Sequence, residues 1–164
     1  MPQDMSDRFR RWFLYERDAH AKVIRSLETV PADRRGSAEY RRAVSILGHI
    51  AAARRVWLYR MGVIPEPPDA LFPEESDLEV VKGELMHVEE RWAEHLQGIT
   101  DQMLSELFTY QSFDSGRFQN TIEDVLTQLF GHSWYHRGQI AILVRQAGGT
   151  PALTDLIYFT RESV

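Results

Sequence analysis

Apolar residues recur at intervals of three and four along most of the chain, the spacing of one face of an α-helix. From Met5 to Val30 the stripe runs through Phe9, Phe13, Glu16, His20, Val23 and Leu27. Ser6 is the expected cap of this helix, and Pro31 lies just past its end. Two members of the stripe, Glu16 and His20, are polar. A second helix is predicted over Ala38 to Met61, with Gly62 as its stop. Its line Ile46, His49, Ala53 and Val56 again carries one polar residue, His49, on a face of small side chains.

The segment VIPEPPDALFPEESD holds four of the seven prolines and reads as a long extended connection. Asp77 opens a third helix that runs to about Gly98, with Leu78, Val81, Leu85, Val88, Trp92 and Leu96 on one face. Residues 100–106 suggest a short helical turn. In LFTYQSFDSGRFQN the period shifts towards alternation around Asp114-Ser115-Gly116, which predicts a small β-hairpin. Asn120 or Thr121 then caps a last long helix, helped by Glu123 and Asp124 in its first turn. That helix stops at Gly148-Gly149, and the aromatic tail TPALTDLIYFTRESV is expected to pack back.

These elements predict an all-α protein: a four-helix bundle with a long crossover between helices 2 and 3 and a small β-hairpin before the last helix. One domain is expected over residues 1–164, because neither half alone has enough helices to bury its faces. No internal repeat or low-complexity tract interrupts the pattern.

Composition narrows the chemistry. Hydrophobic residues make up 43% of the 164, a globular proportion. There is no cysteine, which excludes disulfides, a thiolate nucleophile and sulfur-ligated metal sites. A net charge of −5 with mixed signs opposes nucleic-acid binding, which calls for a basic face. No apolar run approaches the ~20 residues that span a bilayer, and the N-terminus lacks the apolar core of a signal peptide. A soluble, cytoplasmic protein is expected.

The sharpest signal is GHSWYHRGQI in the last helix. His132 and His136 are one turn apart, so their rings share a face, and they continue an inward apolar line. Two imidazoles at that spacing can hold one divalent ion, and His49 offers a third from the inward face of helix 2. Ser133 follows His132 where a zinc protease helix needs Glu, so that reading fails. A di-iron centre fails as well, since the last helix offers no carboxylate near the pair. His87 lies off the packed line of helix 3, His95 is marginal to it, and both read as surface residues. Arg137 is expected to pair with a bundle carboxylate, and Gln139 to hold a neighbouring helix.

The segments YERDAH, LGHIAAARRVWLYR, FDSGRFQNTIEDVL and HSWYHRGQIAILVRQAGGTP, with DLIYF behind them, resemble the DinB-like superfamily across nearly the whole chain. HRGQ is the most specific of these blocks. The superfamily includes bacillithiol S-transferases and mycothiol-dependent maleylpyruvate isomerases. The resemblance implies a four-helix bundle with a metal-binding triad, which falls on His49, His132 and His136. Zinc is the first expectation, with nickel, iron and manganese also suited to imidazole. One departure stands out. Where such proteins show YxxWxN in the first helix, this chain has Tyr15, Asp18 and His20. His20 could be a fourth ligand, a general base or a packed imidazole; the expectation is a base lining the metal-facing pocket.

Two functions compete. One is a metal-dependent thiol S-transferase or hydrolase acting on a small molecule, with a low-molecular-weight thiol as cosubstrate and His20 or Glu16 moving the proton. The other is a non-catalytic bundle, stabilised by metal, that dimerises or binds in a stress response. A homodimer is expected from Leu47, Ile50 and Trp57 on helix 2 and from Trp12 and Leu14 on helix 1, and because proteins of this superfamily are frequently dimeric.

Overall fold

The computed structural model describes residues 4–163. The first helix, α1 (Met5–Glu28), is followed by a 3₁₀ turn (Ala32–Arg34) and by α2 (Ala38–Arg60). The proline-rich crossover leads to α3 (Leu78–Gln97) and the single turn α4 (Asp101–Leu104). A hairpin of β1 (Leu107–Gln111) and β2 (Arg117–Thr121) precedes α5 (Ile122–Gln146), and a short α6 (Leu156–Thr160) ends the fold. The predicted all-α bundle, its crossover and its hairpin are all present. Among the described residues no helix is long and apolar enough to cross a membrane.

Long-range contacts fix the helix directions. Trp12 stacks on Phe130 and Tyr15 meets Trp134 edge-on, so α1 and α5 run parallel. Arg10 bonds to Leu96, His20 to Glu89 and Lys82 to Glu28, which sets α3 antiparallel to α1. Arg54 reaches Ser133 while His49 meets His132 and His136, so α2 opposes α5. The bundle is therefore up-down-down-up, and the α2–α3 crossover has to travel its full length. Phe13, Leu27, Leu47, Ile50, Leu58, Leu85, Trp92 and Ile140 lie in the common core.

Helix termini follow local chemistry with one correction. Ser37, Asp77 and Thr121 cap α2, α3 and α5, the last through a full capping box with Asp124. Ser6 does not cap α1: the helix begins at Met5, and the Asp101 carboxylate at the start of α4 accepts from the amides of Met5 and Ser6 at 3.2 and 2.8 Å. A partner distant in sequence thus satisfies amides that a local cap would otherwise take. The tail lies against α1 through a hydrogen bond from the Tyr15 hydroxyl to the Thr154 carbonyl, but Leu153, Ile157 and Tyr158 stay exposed.

Candidate metal centre

The inward faces of α2 and α5 bring three imidazoles to one point. Nε2 of His132 lies 3.0 Å from Nε2 of His49 and 3.1 Å from Nε2 of His136. One ligand atom from each ring falls within 4.8 Å of the others. Each outer ring is oriented by a bond at its far nitrogen. Nδ1 of His49 meets the Leu71 carbonyl at 2.7 Å, and Nδ1 of His136 meets Oε1 of Gln139 at 2.7 Å. Those oxygens can only accept, so each Nδ1 carries the proton and each Nε2 turns a lone pair towards His132.

This arrangement fits a cation better than a proton. A single hydrogen on Nε2 of His132 serves two facing lone pairs poorly, and its Nδ1 is buried without a hydrogen-bond partner. With Nε2 of all three rings on one ion, every ring takes the same tautomer. Zinc-like bonds of ~2.0–2.1 Å in tetrahedral array separate the nitrogens by about 3.3 Å, close to the spacing seen. Burial, reinforced by its two neighbours and Arg54, lowers the His132 pKa to about 4. His49 is also pushed down, mainly by burial. Both changes favour the neutral form that a metal requires.

The crossover forms part of the centre. Phe72 stacks on His49 with centroids 3.8 Å apart and planes 3° from parallel, while neighbouring Leu71 supplies the carbonyl that orients the same ring. Gly48 makes room for the segment: a Cβ there would stand 2.5 Å from Cγ of Pro73. On the other side, Tyr135 meets His136 edge-on at 5.0 Å and accepts from Gln139 at 3.2 Å.

Glu16 and His20 sit in a buried charge network beside the triad and supply none of its three ligands. The Glu16 carboxylate bridges two guanidiniums. Arg137 Nη1 donates to it at 2.7 Å, and Arg54 Nη2 donates both to it and to Ser133 Oγ. Arg137 also donates to the Tyr15 hydroxyl at 2.9 Å. Nδ1 of His20 donates to Oε1 of Glu89 at 2.8 Å, and its Nε2 faces Arg137. Two arginines and two glutamates with a neutral His20 balance in charge, the condition for ions to be tolerated inside a bundle. Burial lowers the pKa of His20 against the opposing pull of Glu89.

Arg137 pairs with the Glu16 carboxylate as expected, whereas Gln139, expected to hold a neighbouring helix, bonds His136 and Tyr135 on its own helix. His87 is exposed. His95, expected at the surface, is half-buried edge-on to Trp92 at 5.6 Å, because residues three apart on a helix share a face. Arg54, Glu89, Leu71 and Phe72 are further residues of the site that carry no motif in the sequence. For Arg54 a signal existed, since it continues the buried line Leu47, Ala51 and Leu58 at helical spacing.

Protein DinB of Bacillus subtilis (strain 168) is 30% identical over 82 residues, which cover 50% of this chain and 46% of that protein. The alignment thus spans about half the relative's length. No solved structure matches the chain. Residues 1–163 match the DinB family, and the chain belongs to that family.

Proposed function

We propose that this protein is a metal-dependent enzyme acting on a small molecule, with one divalent ion held by His49, His132 and His136. The observation that carries this reading is the convergence of three Nε2 atoms whose outer rings are fixed by Leu71 and Gln139. Bound there, a divalent ion supplies Lewis acidity and lowers the pKa of a thiol or water. Three neutral imidazoles leave its charge uncompensated and leave coordination positions for a substrate. Zinc fits the donor set best, and nickel, iron or manganese suit it too.

The protein's own groups divide the remaining work. Leu71 and Gln139 orient two ligands, and Phe72 walls one side of the centre. The pairings of Glu16 and His20 favour a part in holding α1 against α2, α3 and α5 over a part in carrying the substrate's proton. We extend the proposal to thiol transfer, in which a low-molecular-weight thiol gives up its proton and forms a carbon–sulfur bond to an electrophile as that carbon's leaving group departs as an anion; the absence of cysteine leaves that nucleophile to the cosubstrate. Conjugation of mercaptoethanol to chlorodinitrobenzene tests it. The rate should require metal, fall on chelation and return on reloading. Equal rates for stripped and loaded protein would contradict it.

A homodimer belongs to the same proposal. Leu47 and Ile50 are buried within one copy and cannot form its interface. Leu14, Trp134, Leu153 and Ile157 are exposed on α1, α5 and the tail, and they support association there.

A further inference from the structure

Arg42 precedes the ligand His49 by two turns on the same face of α2, about 10 Å along the axis at 1.5 Å per residue. The ring of Phe72 contacts both. Its centroid is 3.8 Å from that of His49, with nearly parallel planes, and 5.5 Å from Cζ of Arg42. The imidazole is stacked on the ring and the guanidinium lies over it, so one aromatic ring contacts both side chains. The stack positions the guanidinium and leaves its N–H groups available. Arg42 is exposed, and among the described residues it has no hydrogen-bond or ion-pair partner. Its neighbours on α2 differ: Arg41 donates to the Gly36 carbonyl and Arg55 to the Glu84 carboxylate.

None of the triad's three ligands is a carboxylate, and Arg42 adds a guanidinium charge beside Phe72. A ligand that satisfies both ends therefore has one group for the metal and a negative group about two helical turns away. An apolar stretch between them would lie along the exposed edge of Phe72. A planar guanidinium matches a carboxylate through two parallel hydrogen bonds.

We propose that Arg42 is a specificity-determining residue that receives the carboxylate of an elongated small molecule whose other end comes to the His49, His132 and His136 centre. This rests on the reading of the triad as a metal centre open to a thiol. Phe72 has two tasks in this arrangement: it braces the ligand His49 and holds Arg42 in place. The crossover thereby couples the metal centre to recognition of the substrate's far end.

Cobalt-loaded full-length protein tests the inference, with the thiolate-to-cobalt absorption band as the measure of binding. The probes are mercaptopropionate and mercaptooctanoate, each against the corresponding mercapto alcohol. The long acid should bind about tenfold tighter than its alcohol, as one charge-assisted pair at a partly exposed site allows. The short acid should show no such advantage. Arg42→Gln should abolish the preference for the long acid and leave the alcohol's affinity unchanged, while Arg41→Gln should preserve both. Equal binding of acid and alcohol to the unaltered protein, or a preference that survives Arg42→Gln, would overturn the assignment to Arg42. Loss of the preference in Arg41→Gln would overturn it too, by showing a general effect of charge. If cobalt binds but neither thiol gives the band, the thiol-at-metal reading itself fails, and the inference fails with it.

Discussion

Gln139 accepts a hydrogen bond from Nδ1 of His136, 2.7 Å away and three residues earlier on α5. That bond fixes the tautomer which presents Nε2 of His136 to the other two imidazoles. Groups in this position usually contribute 10–100-fold to metal affinity. Gln139→Ala should therefore weaken zinc binding by about tenfold or more with little change in stability, since Gln139 is only partly buried. Competition titration with a zinc-sensitive chelator measures it. Unchanged affinity would remove Gln139 from the centre.

Glu16 lies between the guanidiniums of Arg54 and Arg137, all three almost wholly buried. Removing the carboxylate leaves two buried cations facing each other, a change that costs about 3–5 kcal/mol. Glu16→Ala should lower the unfolding free energy by about that much in a urea titration. A loss under about 1 kcal/mol would show that water enters the network and screens it.

Most of the fold is legible in the sequence because the four long helices bury continuous stripes, and a 3.6-residue period survives occasional polar members. The triad is legible for the same reason: His49, His132 and His136 fall on inward lines of helices that a bundle must pack together. What is not legible comes from segments without a period. Leu71 and Phe72 lie in the proline-rich crossover, where nothing local announces that one orients and the other stacks upon His49. The partner of His20 was equally hidden. Glu89 is adjacent in sequence to the core residue Val88, and its burial depends on how α3 is rotated against α1. Asp101 displaced Ser6 at the start of α1 by a contact across 95 residues, beyond the reach of a capping rule.

His20 is held below its ordinary pKa of 6.5, chiefly by burial. Above pH ~6.5 the ring is neutral in both folded and unfolded chains. As pH falls from there towards the lower folded value, the unfolded chain takes up the proton first, and stability is lost. His20→Asn removes this contribution. Between pH 7.5 and pH 5 the unaltered protein should lose more unfolding free energy than the variant, as read by urea titration at both values. Metal content and turnover should stay the same in His20→Asn. A fall in metal content would make His20 a ligand, and an altered rate with full metal would make it the base.

Association through the exposed apolar residues of α1, α5 and the tail predicts a concentration-dependent dimer. Sedimentation should show about twice the 19.1 kDa chain mass at micromolar concentration, and Ile157→Asp should shift it to the monomer. A monomer in the unaltered protein, or a dimer indifferent to Ile157→Asp, would contradict that interface.

The central claim is that three histidines on α2 and α5 hold one metal ion, and elemental analysis of the purified protein tests it most directly. Protein purified without added chelator, measured beside His132→Ala, should contain close to one divalent ion per chain, and the variant should contain almost none while remaining folded. Equal metal content in the two proteins would contradict the account.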